Sequence, residues 1–236
     1  MITALIFDFD GLIVDTESPA FESWRQIYAE YGQELKLSLW EHALGTNHGF
    51  DAATHLAGLL AQHPATAHVA RSLDLAALRA RRQQIKVALS YDQPLLPGVL
   101  DILQQADALD LPCAIASSSG RAWVEGWLRQ HQIYDRFVCI RTAEDVVMTK
   151  PAPDLFLSAA AGLGQPAAQC LVFEDAPNGI RAARAAGMRC VLVPGAISRH
   201  LTLPAADLHL AALNALPLTA ILHHVSTNLD TLVSLP

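Results

Sequence analysis

Five short apolar runs, each bounded by turn signals and separated by segments long enough for a helix, restrict this chain to few folds. They fall at Ala4 to Phe9, the run ending at Ser117, Phe137 to Ile140, Cys170 to Phe173 and Arg189 to Val193. Strands that are apolar throughout, without alternation, are buried on both faces, which is the signature of a parallel sheet covered by crossover helices. The spacing therefore predicts an α/β fold with a doubly wound parallel sheet. Helices are expected at about 99–109, 122–131, 154–161 and 179–186, with a possible edge strand over 207–210 and a last helix near 213–223.

The alternation breaks once. After the first run the pattern disappears for about eighty residues and reads as helical throughout, from Thr16 to Gln93. Phe21, Trp24, Ile27, Tyr28 and Tyr31 follow the i, i+3, i+4 rhythm of an amphipathic helix that Gly32 ends. Further helical stretches are expected over about 39–44, 49–62 and 75–88, and Pro94-Leu-Leu-Pro97-Gly98 returns the chain to strand and helix alternation. The predicted organisation is a core of 1–15 and 94–236 with an inserted all-helical unit at 16–93. The aromatic residues Trp24, Tyr28 and Tyr31 could contact a substrate or form a subunit interface, but packing between its helices is the favoured reading.

Composition narrows the class of partner. Hydrophobic residues make up 52% of 236, enough for a large core, and a net charge of −7 offers no basic surface to a nucleic-acid backbone. Met1 to Ala4 carries no basic segment ahead of a long apolar stretch, and no run approaches a membrane span, so a soluble cytoplasmic protein is expected. Cys113, Cys139, Cys170 and Cys190 lie in or beside apolar runs, with no C-x-x-C pair, and read as small buried hydrophobes.

In an open parallel sheet the chemistry sits beyond the carboxyl ends of the strands. Asp8 and Asp10 follow the first run, two residues apart and so on one side of the chain. Alone they read equally well as a solvated strand end. Ser117-Ser118-Ser119-Gly120 follows the second and serves either to cap a helix or to cradle an anion. Lys150 is the only lysine outside the helical insert, and Glu174-Asp175 ends the fourth run. Two carboxylates about 5 Å apart repel by roughly 3 kcal/mol at an effective dielectric of about 20. Asp8, Asp10, Glu174 and Asp175 around one crevice therefore need a cation. All-oxygen donors select magnesium rather than zinc.

The order Asp8-Phe9-Asp10-Gly11-Leu12-Ile13-Val14-Asp15-Thr16, Ser117, Lys150-Pro151 and Glu174-Asp175 resembles the four motifs of the haloacid dehalogenase superfamily. It is most similar to the phosphatase and β-phosphoglucomutase branch, whose helical cap is inserted after the first strand. The resemblance implies a Rossmann-like core and a Mg²⁺-dependent phosphatase acting on a small phosphorylated metabolite, as a monomer or weak homo-oligomer. It implies Asp8 as nucleophile and Asp10 as general acid and base. Mg²⁺ would be held by Asp8, Asp175 and the Asp10 backbone carbonyl, with Glu174 in direct or water-mediated support. It further implies Ser117, Ser118 and Lys150 as phosphate-binding groups and Asp15 and Thr16 at the hinge of the cap, where Thr16 would fix Asp10 as the cap closes. Asp15 reads equally well as a helix cap, and Asn178 as a turn residue.

Two departures bear on activity. In the mutase branch a cap histidine lies four residues after the hinge threonine, where this chain has Ala20, and the arginine of the first cap loop is missing from Leu44 to Gly49, which offers only His48. Both disfavour the alternative of a hexose-phosphate mutase. Dehalogenation is disfavoured because Asp10 is present. A non-catalytic phosphate-binding module is a third reading.

Overall fold

A computed structural model of the chain describes residues 1–40 and 50–227. Six parallel strands form one sheet: β1 (Ala4–Phe7), β2 (Cys113–Ala116), β3 (Cys139–Arg141), β4 (Cys170–Glu174), β5 (Arg189–Leu192) and β6 (Leu208–His209), in the order β3-β2-β1-β4-β5-β6. The chain winds outward from β1 in one direction, then returns to lay β4 on its other side. The end of β1 is thus the point where the strand order reverses, the usual position of a ligand crevice in such sheets.

Alternate residues of each strand feed two separate cores. Leu5 and Phe7 of β1 join Ile115, Leu171, Phe173 and Val191 on one face, while Ala4 and Ile6 join Ala116, Val172 and Leu192 on the other. Phe7 and Phe173 stack with ring centroids 4.9 Å apart, locking the β1–β4 register. Cys113, Cys170 and Cys190 are buried and Cys139 is half-buried, all four as free thiols. Burial pushes Cys113 and Cys170 up to about 12 and about 11, so neither is a thiolate near neutrality.

Between β1 and β2 lie α1 (Glu17–Glu30), α2 (Leu37–Trp40), α3 (Ala52–Gln62), α4 (Ala67–Ser72), α5 (Leu75–Ser90) and α6 (Val99–Ala108). The first five share a third core built on Trp24, Ile27, Tyr28, Leu35, Trp40, Leu56, Leu60 and Leu78. Gly32, at φ +65°, closes α1 with the helix-ending pair Gly32 N–H to Ala29 O and Gln33 N–H to Tyr28 O. Tyr28 and Trp24 are buried as expected, whereas Phe21 and Tyr31 sit at the margin of this core. The expected helix over 39–44, the start of the one over 49–62, and the Leu44 to Gly49 stretch with His48 fall wholly or partly outside the described residues. The two connectors of the helical segment run side by side: Leu96 N–H donates to Ile13 O at 2.9 Å and Val14 bridges Leu95 in antiparallel fashion.

The remaining helices are α7 (Arg121–Gln130), α8 (Asp154–Gly162), α9 (Pro177–Ala185) and α10 (Leu218–Thr227). Two expectations shift. α9 starts two residues earlier than expected because Pro177 occupies its first turn, where no N–H is required. α10 starts at Leu218 rather than 213 because Pro217 cannot donate within a helix but its carbonyl can accept, here from Ala220 and Ile221. The strand expected over 137–140 is Cys139–Arg141, because a turn of 3₁₀ helix at Tyr134–Arg136 delivers Phe137 to the core as a loop residue. Among the described residues no helix is long and apolar enough to cross a membrane.

Candidate active site

Asp8 is the first residue beyond β1, held there by its N–H donating to Phe173 O at 3.0 Å. Its carboxylate accepts a hydrogen bond from the Lys150 ammonium, which also donates to Glu174 Oε1 at 2.7 Å. Lys150 is fully buried, as is Glu174. The second Glu174 oxygen is taken by the backbone N–H groups of Asp175 and Ala176 at 2.8 and 2.9 Å. This lysine is thus a buried tether between two strand ends. Burial lowers the affinity of its amine for a proton, but the charges of Asp8 and Glu174 outweigh that and hold it as an ammonium.

Oxygens of Asp8, Glu174 and Asp175 lie within 4.8 Å of one another. Burial, reinforced for both groups by Glu174, lifts the Asp8 and Asp175 carboxyls well above the ordinary carboxylate range, against the pull of Lys150. Asp175 Oδ1 is buried with no hydrogen-bond partner among the described residues, while its Oδ2 is 3.3 Å from Ser198 Oγ. An orphaned carboxylate oxygen among all-oxygen donors fits a hard divalent cation. The close packing depends on glycine. A Cβ at Gly11, whose φ is +84°, would stand 2.4 Å from Asp175 Oδ2, and one at Gly179 would stand 1.6 Å from Glu174 Oε1.

Replacing Lys150 by Met would leave two buried carboxylates facing each other without their ammonium. Removing one partner of a buried ion pair costs about 3–5 kcal/mol, so a melting temperature lower by roughly 10 °C is expected. A thermal melt in metal-free buffer checks this, and an unchanged melt would show that the tether contributes nothing.

Asp10 stands apart from the cluster. The sequence reading sets four acids around one crevice; Asp8 and Asp10 do line one cleft, but the oxygens that gather within 4.8 Å are those of Asp8, Glu174 and Asp175, and the Asp10 carboxylate is held by its own set of donors. Thr16 Oγ1 at 2.5 Å and Trp123 Nε1 at 3.0 Å donate to Oδ1, and Ser119 Oγ at 2.6 Å and Ser117 Oγ at 3.2 Å donate to Oδ2. Burial alone would raise its pKa, yet the nearby Lys86 and the bonds from Ser119, Thr16 and Trp123 together hold it below the usual value. Thr16 precedes α1, and its hydroxyl reaches Asp10 instead of capping its own helix. The capping falls to Asp15, which accepts from the Ser18 N–H at 2.9 Å and its hydroxyl at 2.7 Å. Asn178 Oδ1 accepts from Arg181 at 3.0 Å on the surface of α9.

Asp8, Asp10, Ser118 and Ser119 open into a cleft of about 380 Å³ whose opposite wall is helical. Ala20, Trp24 and Glu17 of α1 and Arg79, Arg82, Gln83 and Lys86 of α5 line it. Arg79 is paired with Asp51 at 2.6 Å, and Arg82 donates to Ser23 Oγ at 3.1 Å and Ala20 O at 3.3 Å. Burial, with the Asp10 charge behind it, pushes Glu17 up to about 7 against the opposing charges of Lys86 and Arg82. Sequence reasoning did not single out Glu17, Arg82, Lys86, Trp123 or Ser198. The α5 positions 79, 82, 83 and 86 repeat at helical spacing, which is a detectable signal. Nothing in the sequence marks Trp123.

The arrangement offers a carboxylate bonded to a buried ammonium and open to the cleft, an acid cluster beside it whose oxygens fit a cation, and a second carboxylate in the same cleft that accepts from four donors. A family model described as haloacid dehalogenase-like hydrolase matches residues 2–187. A putative phosphatase, YhcW of Bacillus subtilis, is 38% identical over 96% of this chain and 99% of its own length. A probable pseudouridine-5'-phosphatase of Drosophila melanogaster is 34% identical, covering 82% of each chain. The crystal structure of a β-phosphoglucomutase from Clostridium difficile superposes with a TM-score of 0.71 at 25% identity, over 96% of this chain and 98% of that one.

Proposed function

The chain belongs to the haloacid dehalogenase-like hydrolases and is a phosphatase of that family, and we propose that it hydrolyses small phosphomonoesters, sugar phosphates among them, through an aspartyl phosphate on Asp8. The observation that carries this reading is the Asp8 carboxylate at the sheet's reversal point, bonded to buried Lys150 and open to the cleft. An Asp8 oxygen attacks phosphorus in line with the ester bond. As that bond breaks, its electron pair goes to the leaving oxygen, which takes a proton from Asp10, a carboxyl ionised in the empty cleft that gains its proton as the negative phosphate enters beside it. A water then attacks the aspartyl phosphate, giving its proton to Asp10 and releasing Asp8 and inorganic phosphate.

Ser117, Ser118 and Lys150 bind the phosphate oxygens in this scheme. Asp8, Glu174, Asp175 and the Asp10 backbone carbonyl would hold Mg²⁺, which would neutralise charge on the phosphate. The cap, 16–93, closes on the core, 1–15 and 94–236, about a hinge at Asp15 and Thr16, and excludes bulk water. The protein works in the cytoplasm on small phosphorylated metabolites. Phosphate release from a panel of phosphorylated sugars, nucleotides and small acids tests the reading, and no turnover of any of them would defeat it.

Hydrolysis is preferred to isomerisation because Ala20 presents only a methyl group to the cleft at the position of the mutase histidine. Water therefore has access to the aspartyl phosphate whenever Asp10 is ionised. Given β-glucose 1-phosphate and a trace of glucose 1,6-bisphosphate, the enzyme is expected to release free phosphate with little glucose 6-phosphate. Isomer appearing much faster than phosphate would establish the mutase instead.

A further inference from the structure

We propose that Trp123 is a positioning residue for Asp10 and that it ties the orientation of that carboxylate to the placement of the cap. The inference rests on the reading of Asp10 as the acid that protonates the leaving group. Trp123 is the third residue of α7, the helix that follows the Ser117-Ser118-Ser119-Gly120 turn. Side chains on a helix lean toward its N-terminus, so this indole reaches back over the serine turn and donates to Asp10 Oδ1 at 3.0 Å. From the other side of the cleft, the Lys86 ammonium of α5 lies 4.4 Å from the centroid of the same ring. One indole therefore touches the carboxylate and the cap together.

The four donors on Asp10 are not equivalent. Ser117, Ser119 and Thr16 carry hydroxyls that can rotate from donating to accepting, whereas an indole N–H can only donate. Oδ1, facing Trp123, is thus fixed as an acceptor. Oδ2, bonded by the rotatable hydroxyls of Ser119 and Ser117 and by no fixed donor in the structure, is therefore the oxygen better placed to carry a proton. Trp123 in this way selects which oxygen presents the acid to the cleft. Lys86 holds the ring in place through its cation–π contact, and Trp127 braces it edge-on at 5.8 Å and 79°. Displacement of α5 would remove the Lys86 support and free the indole to rotate.

Leaving-group dependence is the readout, because a merely structural defect would slow all esters alike. The value of kcat/KM reports the step in which the leaving group departs. Phenoxide needs protonation, whereas p-nitrophenoxide leaves as a stable anion. Trp123→Phe keeps an aromatic ring at this position and removes the N–H. It is expected to lower kcat/KM for phenyl phosphate by about tenfold, the value of one hydrogen bond to a charged group, and that for p-nitrophenyl phosphate by about twofold or less. Lys86→Met is expected to shift the ratio of the two by about threefold in the wild type and by less in a Trp123→Phe background, a coupling that a direct charge effect of Lys86 on Asp10 would not produce. Asp10→Asn, measured beside them with thermal melts of all variants, sets the full size of the effect.

Equal losses on both esters, or no loss on either, for Trp123→Phe would overturn the proposal while Asp10→Asn still showed the selectivity. A Lys86→Met ratio equal to wild type, or one shifted as much in the Trp123→Phe background, would overturn the link to the cap. If Asp10→Asn itself lacked the selectivity, the reading of Asp10 as the acid would fall, and the role of Trp123 with it.

Discussion

Asp8→Asn is expected to reduce phosphate release to less than about a hundredth of the wild-type rate while leaving the protein folded, since losing covalent catalysis costs several kcal/mol. The side chain is nearly isosteric, and an amide oxygen can still accept from Lys150, which keeps its second bond to Glu174 at 2.7 Å. The main-chain bond from Asp8 to Phe173 is untouched. What disappears is the charge on the attacking oxygen. Phosphate release and a thermal melt on the same sample decide the matter: a folded variant retaining more than about a hundredth of the rate would refute Asp8 as nucleophile.

Metal removal should have a comparable effect on rate and a separate one on stability. Asp8, Glu174 and Asp175 bring three buried carboxyls to one place with a single ammonium, and burial raises two of them in the absence of a cation. An ion that binds only the folded state adds stability by mass action, about 2.7 kcal/mol at one hundred times its dissociation constant. For a chain of this size that is a rise of roughly 5–10 °C in melting temperature. Chelator should abolish phosphate release, and Mg²⁺ should restore it and raise the melt together. Full turnover in metal-free buffer, or a melt indifferent to Mg²⁺, would refute the acid cluster as a metal site.

The parts of this protein legible in its sequence are those where a residue's neighbours along the chain determine its surroundings. β1 and β4 are apolar without alternation, so their burial, and the emergence of Asp8 and Asp175 at their ends, can be read directly. Spacing alone does not show the three-plus-one division of the acids, which depends on donors from 16, 117, 119 and 123 meeting on one carboxylate; only the resemblance, which gives the metal the Asp10 backbone carbonyl and sets Thr16 against its side chain, separates Asp10 from the rest. Spacing within a single segment says nothing about such a meeting. The same holds for the cleft wall: the amphipathic pattern of α1 identifies its buried stripe, but Trp24 belongs both to that stripe and to the cleft. Pro177 and Pro217 show a smaller failing: one expected helix begins two residues after its proline and the other runs through its proline, whereas Pro177 opens the first turn of α9 and Pro217 directly precedes that of α10.

The bond from Leu96 to Ile13 and the bridge from Val14 to Leu95 place the departure and the return of the helical segment side by side. To the sheet, everything between them is one long loop with a fixed and very short end-to-end distance. Segments with adjoining ends can be exchanged or inserted without moving the scaffold that carries them. The molecule is in this sense a socket and a plug: chimaeras that join at these two connectors can pair this sheet, with Asp8 and Lys150 in place, with a helical segment from another member of the family. Such a chimaera would exchange the α1 and α5 wall of the cleft while keeping Asp8, Asp10 and Trp123 on the scaffold.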